Sequence, residues 1–149
     1  MSSLLKSTRS ATSFDPDFKD FVAELRSLVK SPDGGKTASL AQILILTMSI
    51  GFQKGFKGPQ SPRSNDAARL EYLDEAAVAQ MRLVALVDQK SADVLEDDEA
   101  VIDIAEQYSN GGLAILRSEK ESNPSFLSWL EKTLYHQTKS FYQDHLAED

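Results

Sequence analysis

The 149 residues contain no cysteine. That absence excludes disulfide frameworks, thiolate zinc sites and cysteine nucleophiles, and it fits a cytoplasmic protein. Histidine is nearly as scarce. His136 and His145 stand nine positions apart, about half a turn out of phase on one helix, so a single face does not offer both to a metal. No uncharged apolar run reaches the roughly 20 residues a bilayer-spanning helix needs. The N-terminus offers only Leu4 and Leu5 where a signal peptide carries a longer apolar stretch. Membrane insertion and secretion are therefore not expected.

Nucleotide and hydrolase signatures are missing too. Gly34-Gly35-Lys36-Thr37 holds a GKT tripeptide, but a Walker motif places a glycine at position 30, which is Lys30. Gly55-Phe56-Lys57-Gly58 follows a predicted helix, whereas a phosphate-cradling loop follows a strand. No GxSxG occurs. Glu96-Asp97-Asp98-Glu99 lacks the alternating ligands and internal glycine of a calcium loop, and it reads as a helix N-cap followed by a favourable first turn. No catalytic residue, metal site or cofactor is expected, and a hydrolase built on a motif-free site is the least favoured reading.

What is present is helical patterning. The chain has the length of one domain and the ordinary balance of a globular protein, with 41% hydrophobic and 26% charged residues. Its net charge of −7 is unevenly spread: ten Lys/Arg against six Asp/Glu over residues 1–70, then two against eleven over 71–106. Such a dipolar surface steers association, while the acidic total disfavours nonspecific nucleic-acid binding.

Residues 1–13, rich in Ser and Thr, read as a flexible tail, and 14–146 as a single helical domain. Asp15-Pro16 caps a first helix whose stripe is Phe18, Phe21, Val22, Leu25, Leu28 and Val29. Ser31-Pro32-Asp33-Gly34-Gly35 is a turn. A capping box, Ser39 with Gln42, opens an apolar helix over about 39–53, uncharged from Leu40 to Phe52. A helix apolar on every side and too short for a membrane belongs at the centre of a helical domain. Residues 55–65 form a surface loop, and Leu70–Leu73 is a candidate strand or extended segment. Asp74 or Glu75 opens a helix running to about Asp88, and Asp97 caps another that Asn110-Gly111-Gly112 either ends or carries past a closely packed neighbour. Asn123-Pro124-Ser125 opens a last, aromatic-rich helix over Phe126 to about Leu146. The expected fold is an all-α bundle of about five helices around the apolar one.

The basic loop is the candidate contact surface. Lys54, Lys57, Arg63 and Arg69, interleaved with Phe52 and Phe56, are the residue types that meet phosphates and stack on bases. They are also what surrounds any buried helix where it reaches the surface, so DNA contact is not the favoured reading.

Two stretches carry a resemblance: SLAQILILTMSIGFQKGFKG (residues 39–58) and DDEAVIDIAEQYSNGGLAIL (residues 97–116). Both resemble the small accessory proteins associated with bacterial DNA-phosphorothioation (Dnd) systems, specifically the fourth associated protein. That family has an apolar helix ending in a Gly-Phe/Tyr-x-x-Gly phrase and a later acidic helix ending A-x-x-Y-x-x-GG-L, matched here by Ala105, Tyr108, Gly111, Gly112 and Leu113. The similarity spans about residues 17–120. Family members have an extended apolar segment after the basic loop; here Arg69-Leu70-Glu71-Tyr72-Leu73 stands in its place. The resemblance implies a non-enzymatic component of a DNA-modification-linked phage-defence system, with protein partners in that complex. It brings no catalytic residue. It marks Gly51, Phe52, Lys54, Gly55, Tyr108, Gly111 and Gly112 as positions on which the fold or a partner contact depends. A homo-oligomer is compatible with this reading, and a DNA-binding regulator using the basic loop 54–69 stands as the alternative.

Overall fold

Capping groups decide where the helices begin. In the computed structural model, which describes residues 4–7, 9–29, 38–62 and 66–133, Asp15 accepts from the Asp17 amide and leads through a 3₁₀ turn at Pro16–Phe18 into α1, Lys19–Leu28. Ser39 and Gln42 form a complete capping box, each side chain bonding the other's backbone amide, at the head of α2, Leu40–Gln53. Asp74 accepts from the Ala77 amide at the start of α3, Glu75–Gln89. Asp97 accepts from the Ala100 amide at the start of α4, Asp98–Ser122. A fifth helix, α5, covers residues 126–133. The fold is all-α, as the patterning predicts.

The apolar helix is the hub. Leu44 and Met48 of α2 share one core with Val78, Met81 and Ala85 of α3 and with Val101, Ile102 and Ala105 of α4. Helix α1 adds Phe21, Val22 and Leu25 against α2, all nearly sealed from solvent. Two units divide the chain at Leu116/Arg117. In the second, the rings of Phe126 and Trp129 stack with centroids 5.9 Å apart, and Phe126 and Leu130 are buried.

Two expectations are corrected. Residues 1–13 do not behave as a tail where they are described: Leu5 is buried, and β1, Ala11–Ser13, pairs antiparallel with β2, Asp66–Arg69. The Thr12 hydroxyl takes the Ala68 amide at 2.9 Å and donates to the Ala68 carbonyl at 3.1 Å. A Ser/Thr-rich composition hid this, because here the hydroxyls serve buried backbone. The extended segment falls at Asp66–Arg69, and Leu70–Tyr72 closes into a 3₁₀ turn with Leu70 and Leu73 buried.

At Asn110-Gly111-Gly112, α4 runs on without a break. Among the described residues no helix is long and apolar enough to cross a membrane. The GKT tripeptide, Arg63, both histidines and the part of the last helix beyond residue 133 lie outside the described residues.

Candidate functional site

The site begins with glycines where two helices touch. A Cβ on Gly51 of α2 would fall 2.0 Å from the Tyr108 carbonyl oxygen of α4, and one on Gly112 would fall 1.9 Å from the Thr47 oxygen of α2. Only hydrogen fits at either place, so the backbones meet directly and each carbonyl lies over the opposite Cα. Beside this contact Thr47 and Ser109 share a buried hydrogen bond of 2.7 Å, which joins the helices without leaving a hydroxyl unpaired. Phe52 meets the Tyr108 ring edge to face at 5.5 Å.

Helix α2 ends on Gly55, which takes φ +65°. The Gly55 amide bonds the Phe52 carbonyl and the Phe56 amide bonds the Gly51 carbonyl, the paired bonds of a Schellman ending. The chain then turns back onto α4. The Gly58 amide donates to the Gln107 carbonyl at 2.8 Å, and a Cβ on Gly111 would meet the Phe56 carbonyl at 2.0 Å. Asn110 locks the loop by donating from one nitrogen to the Pro59 carbonyl and the Ser61 hydroxyl, while its oxygen receives the Asp15 amide. The amides of Lys54, Gly55, Phe56 and Gly58 are thus all spent on carbonyls of the chain. These four backbone donors are therefore not free to cradle a phosphate.

Within this loop Lys57 lies over Tyr108. Its ammonium lies 3.1 Å from Asp88 of α3 and 5.6 Å from the Tyr108 ring centre, and the Tyr108 hydroxyl donates to the other Asp88 oxygen at 2.6 Å. Burial pushes the Asp88 carboxyl up, but hydrogen bonds from Tyr108, Gln89 and Lys57 outweigh it and hold the group below its usual range. Burial and then the adjoining Asp88 carboxylate push the Tyr108 phenol up to about 12.

Two residues before Tyr108, Glu106 is fully buried. Its carboxylate takes the Arg9 guanidinium, the Ser13 amide and, at 3.0 Å, the Gln60 side chain; Arg9 also reaches Asp103 at 3.2 Å. Desolvation raises the Glu106 carboxyl above its ordinary range, against the lowering effect of Arg9 and Ser13. The N-terminal segment and the 55–61 loop therefore meet on one polar stripe of α4.

The structure separates the sequence candidates into two kinds. Gly51, Phe52, Tyr108 and Gly112 come together where α2 packs on α4, Gly111 meets the loop at Phe56, and Gly55 stands in open space at the end of α2. Lys54 and Phe56 face outward, Phe56 with 48% of its surface exposed. Lys57 is bound to Asp88, and Arg69 pairs with Glu71 at 2.6 Å, so the basic residues do not gather into one patch among the described residues. Sequence reasoning missed Arg9, Asp88, Glu106 and Asn110. A signal for the last two existed: polar residues at 106, 109 and 110 fall on the face carrying Ile102 and Leu113. Among the described residues no three His, Asp or Glu side chains stand together as a metal site.

The model of one protein family, DNA sulphur modification system-associated protein 4, matches residues 15–147. That match runs beyond the two motif stretches and includes the last, aromatic helix. No curated protein and no solved structure matches the chain.

Proposed function

Because the chain belongs to the family of DNA sulphur modification system-associated protein 4, we propose that it is a non-enzymatic accessory subunit of such a system, acting by protein contacts within a bacterial phage-defence complex. The observation that carries this reading is the fate of the family-like residues. Gly51, Gly112 and Tyr108 are consumed in packing α2 on α4, Gly111 in seating the loop at Phe56, and the polar groups of Asp88, Glu106 and Asn110 are engaged by partners within the chain. Their geometry holds a loop in place and presents Lys54 and Phe56 at its tip. A rigid loop displaying one cation and one aromatic ring is a recognition feature, since aromatic anchors dominate protein interfaces.

The test is recovery of partners. The tagged full chain, expressed in cells carrying its native operon, is expected to bring down neighbouring gene products, and Phe56→Ala with Lys54→Glu is expected to lose them while folding normally. Recovery of no neighbour, or equal recovery with the variant, overturns the reading.

The exposed Lys54–Phe56 pair also favours the DNA-binding alternative. It predicts a mobility shift on duplex DNA that weakens steeply with salt and vanishes in the Lys54→Glu/Lys57→Glu variant. Absence of a shift at low salt ends that alternative.

A further inference from the structure

Helix α3 is apolar on two sides, and only one of them is packed among the described residues. Ala77, Val78, Met81, Val84 and Ala85 enter the core. On the opposite side Ala76, Ala79, Gln80, Leu83 and Val87 are exposed, Leu83 with 58% and Val87 with 49% of its surface. These positions fall within about 60° of Leu83 at 100° per residue, so they form one stripe along the helix. No charge interrupts it between Glu75 and Lys90. A sustained apolar stripe on the outer side of a helix marks an interface.

From this stripe we infer that α3 pairs with α3 of a second copy of the chain, antiparallel about a two-fold axis near residues 81 and 82. The stripe is self-complementary in shape. Its first half carries small side chains, Ala76 and Ala79, and its second half large ones, Leu83 and Val87. With the axis there, Val87 of each copy lies over Ala76 of the other, and Leu83 lies beside Ala79 and Gln80, large against small at both ends. The stripe is self-complementary in charge as well. Glu75 opens the helix and Lys90 closes it, both exposed, and the antiparallel arrangement brings each Lys90 within a turn of the other copy's Glu75. A parallel pair would set Glu75 on Glu75 and Leu83 on Leu83. Opposed helix dipoles favour the same choice. Fifteen residues give a seam about 22 Å long, the small end of specific interfaces, so the dimer is weak and concentration-dependent.

Sedimentation of the full chain over a hundredfold range of concentration tests this. The expected result is a monomer–dimer equilibrium that Leu83→Glu weakens about tenfold or more, with unchanged circular dichroism because the side chain is exposed. Should Leu83→Glu fold poorly, the charge pair serves instead: Glu75→Lys and Lys90→Glu each weaken the dimer, and the two together restore it. Because the chain has no cysteine, single introduced thiols report the orientation. Gln80→Cys, near the axis, is expected to give a disulfide-linked dimer, whereas Glu75→Cys, about 20 Å from its symmetry mate, is not. A monomer at every concentration, a dimer indifferent to both sets of substitutions, or equal cross-linking at 75 and 80 overturns the inference.

Discussion

A Cβ on Gly112 would stand 1.9 Å from the carbonyl oxygen of Thr47, on the helix it crosses. Neither atom can step aside, since one belongs to the backbone of α2 and the other to the backbone of α4. The glycine is therefore required by proximity alone, in a helix where its flexibility is a cost. Gly112→Ala is expected to destabilise the fold by about 3 kcal/mol or more, because overpacking against backbone cannot relax by a change of rotamer. Gly55→Ala, at φ +65° with open space around it, is expected to cost only about 1–2 kcal/mol. Urea unfolding of the two variants checks both the size and the order.

The N-terminal segment yields a second prediction through Arg9 and Glu106. Arg9→Met leaves a fully buried carboxylate without its cation, and breaking such a pair costs about 3–5 kcal/mol. The loss depends on pH with a definite sign. A carboxyl whose folded pKa is raised favours the neutral form, so its contribution is best below the unfolded value and declines as pH rises through the folded one. Without Arg9 the carboxyl moves higher still. The variant is thus expected to be closer to the parent near pH 5 than near pH 8, measured as unfolding free energy at each pH.

Tyr108 gives an alkaline counterpart. Its phenol ionises near 12 when folded, against an ordinary value of 10.0, so the neutral form is the one the fold prefers. Stability from this group is complete below pH 10 and is lost as pH climbs toward 12. Tyrosinate absorbance is expected to show one late-titrating phenol, absent in Tyr108→Phe, and that variant is expected to have a shallower alkaline loss of stability.

Asp88 works in the opposite direction at the acid end. Its folded pKa lies below 3.8, so its contribution is present above the unfolded value and fades as pH falls through the folded one. Asp88→Asn is expected to flatten the acid limb of the stability profile. Lys57→Ala, which removes a half-exposed ammonium from that carboxylate and from the Tyr108 ring, is expected to cost no more than about 1 kcal/mol. Thermal melts across the acid range check both variants.

Much of the scaffold was legible because its signals are local. Ser39, Asp74 and Asp97 each cap an α-helix at the place the sequence offers, and Asp15 caps the 3₁₀ turn that leads into α1, since a cap needs only an oxygen two or three residues from an orphan amide. The apolar run of α2 had to be central for want of any face that water could wet. The N-terminal strand was not legible: Thr12 and Ser13 read as solvated, and only partners at Ala68 and Glu106, far along the chain, make them core residues. Likewise Lys57 and Arg69 read as part of one basic surface, and only folding shows that Asp88 and Glu71 hold them apart.

The sequence by itself determined that the chain is helical, where most of its helices start, and that one of them is enclosed by the rest. Those properties follow from neighbours within a turn or two and from hydrophobic content. Tertiary structure alone decided what the glycine-rich phrases are for and which charges are spent inside. Close approach and burial depend on residues brought together from distant positions, and no local pattern records the distance between Gly112 and Thr47.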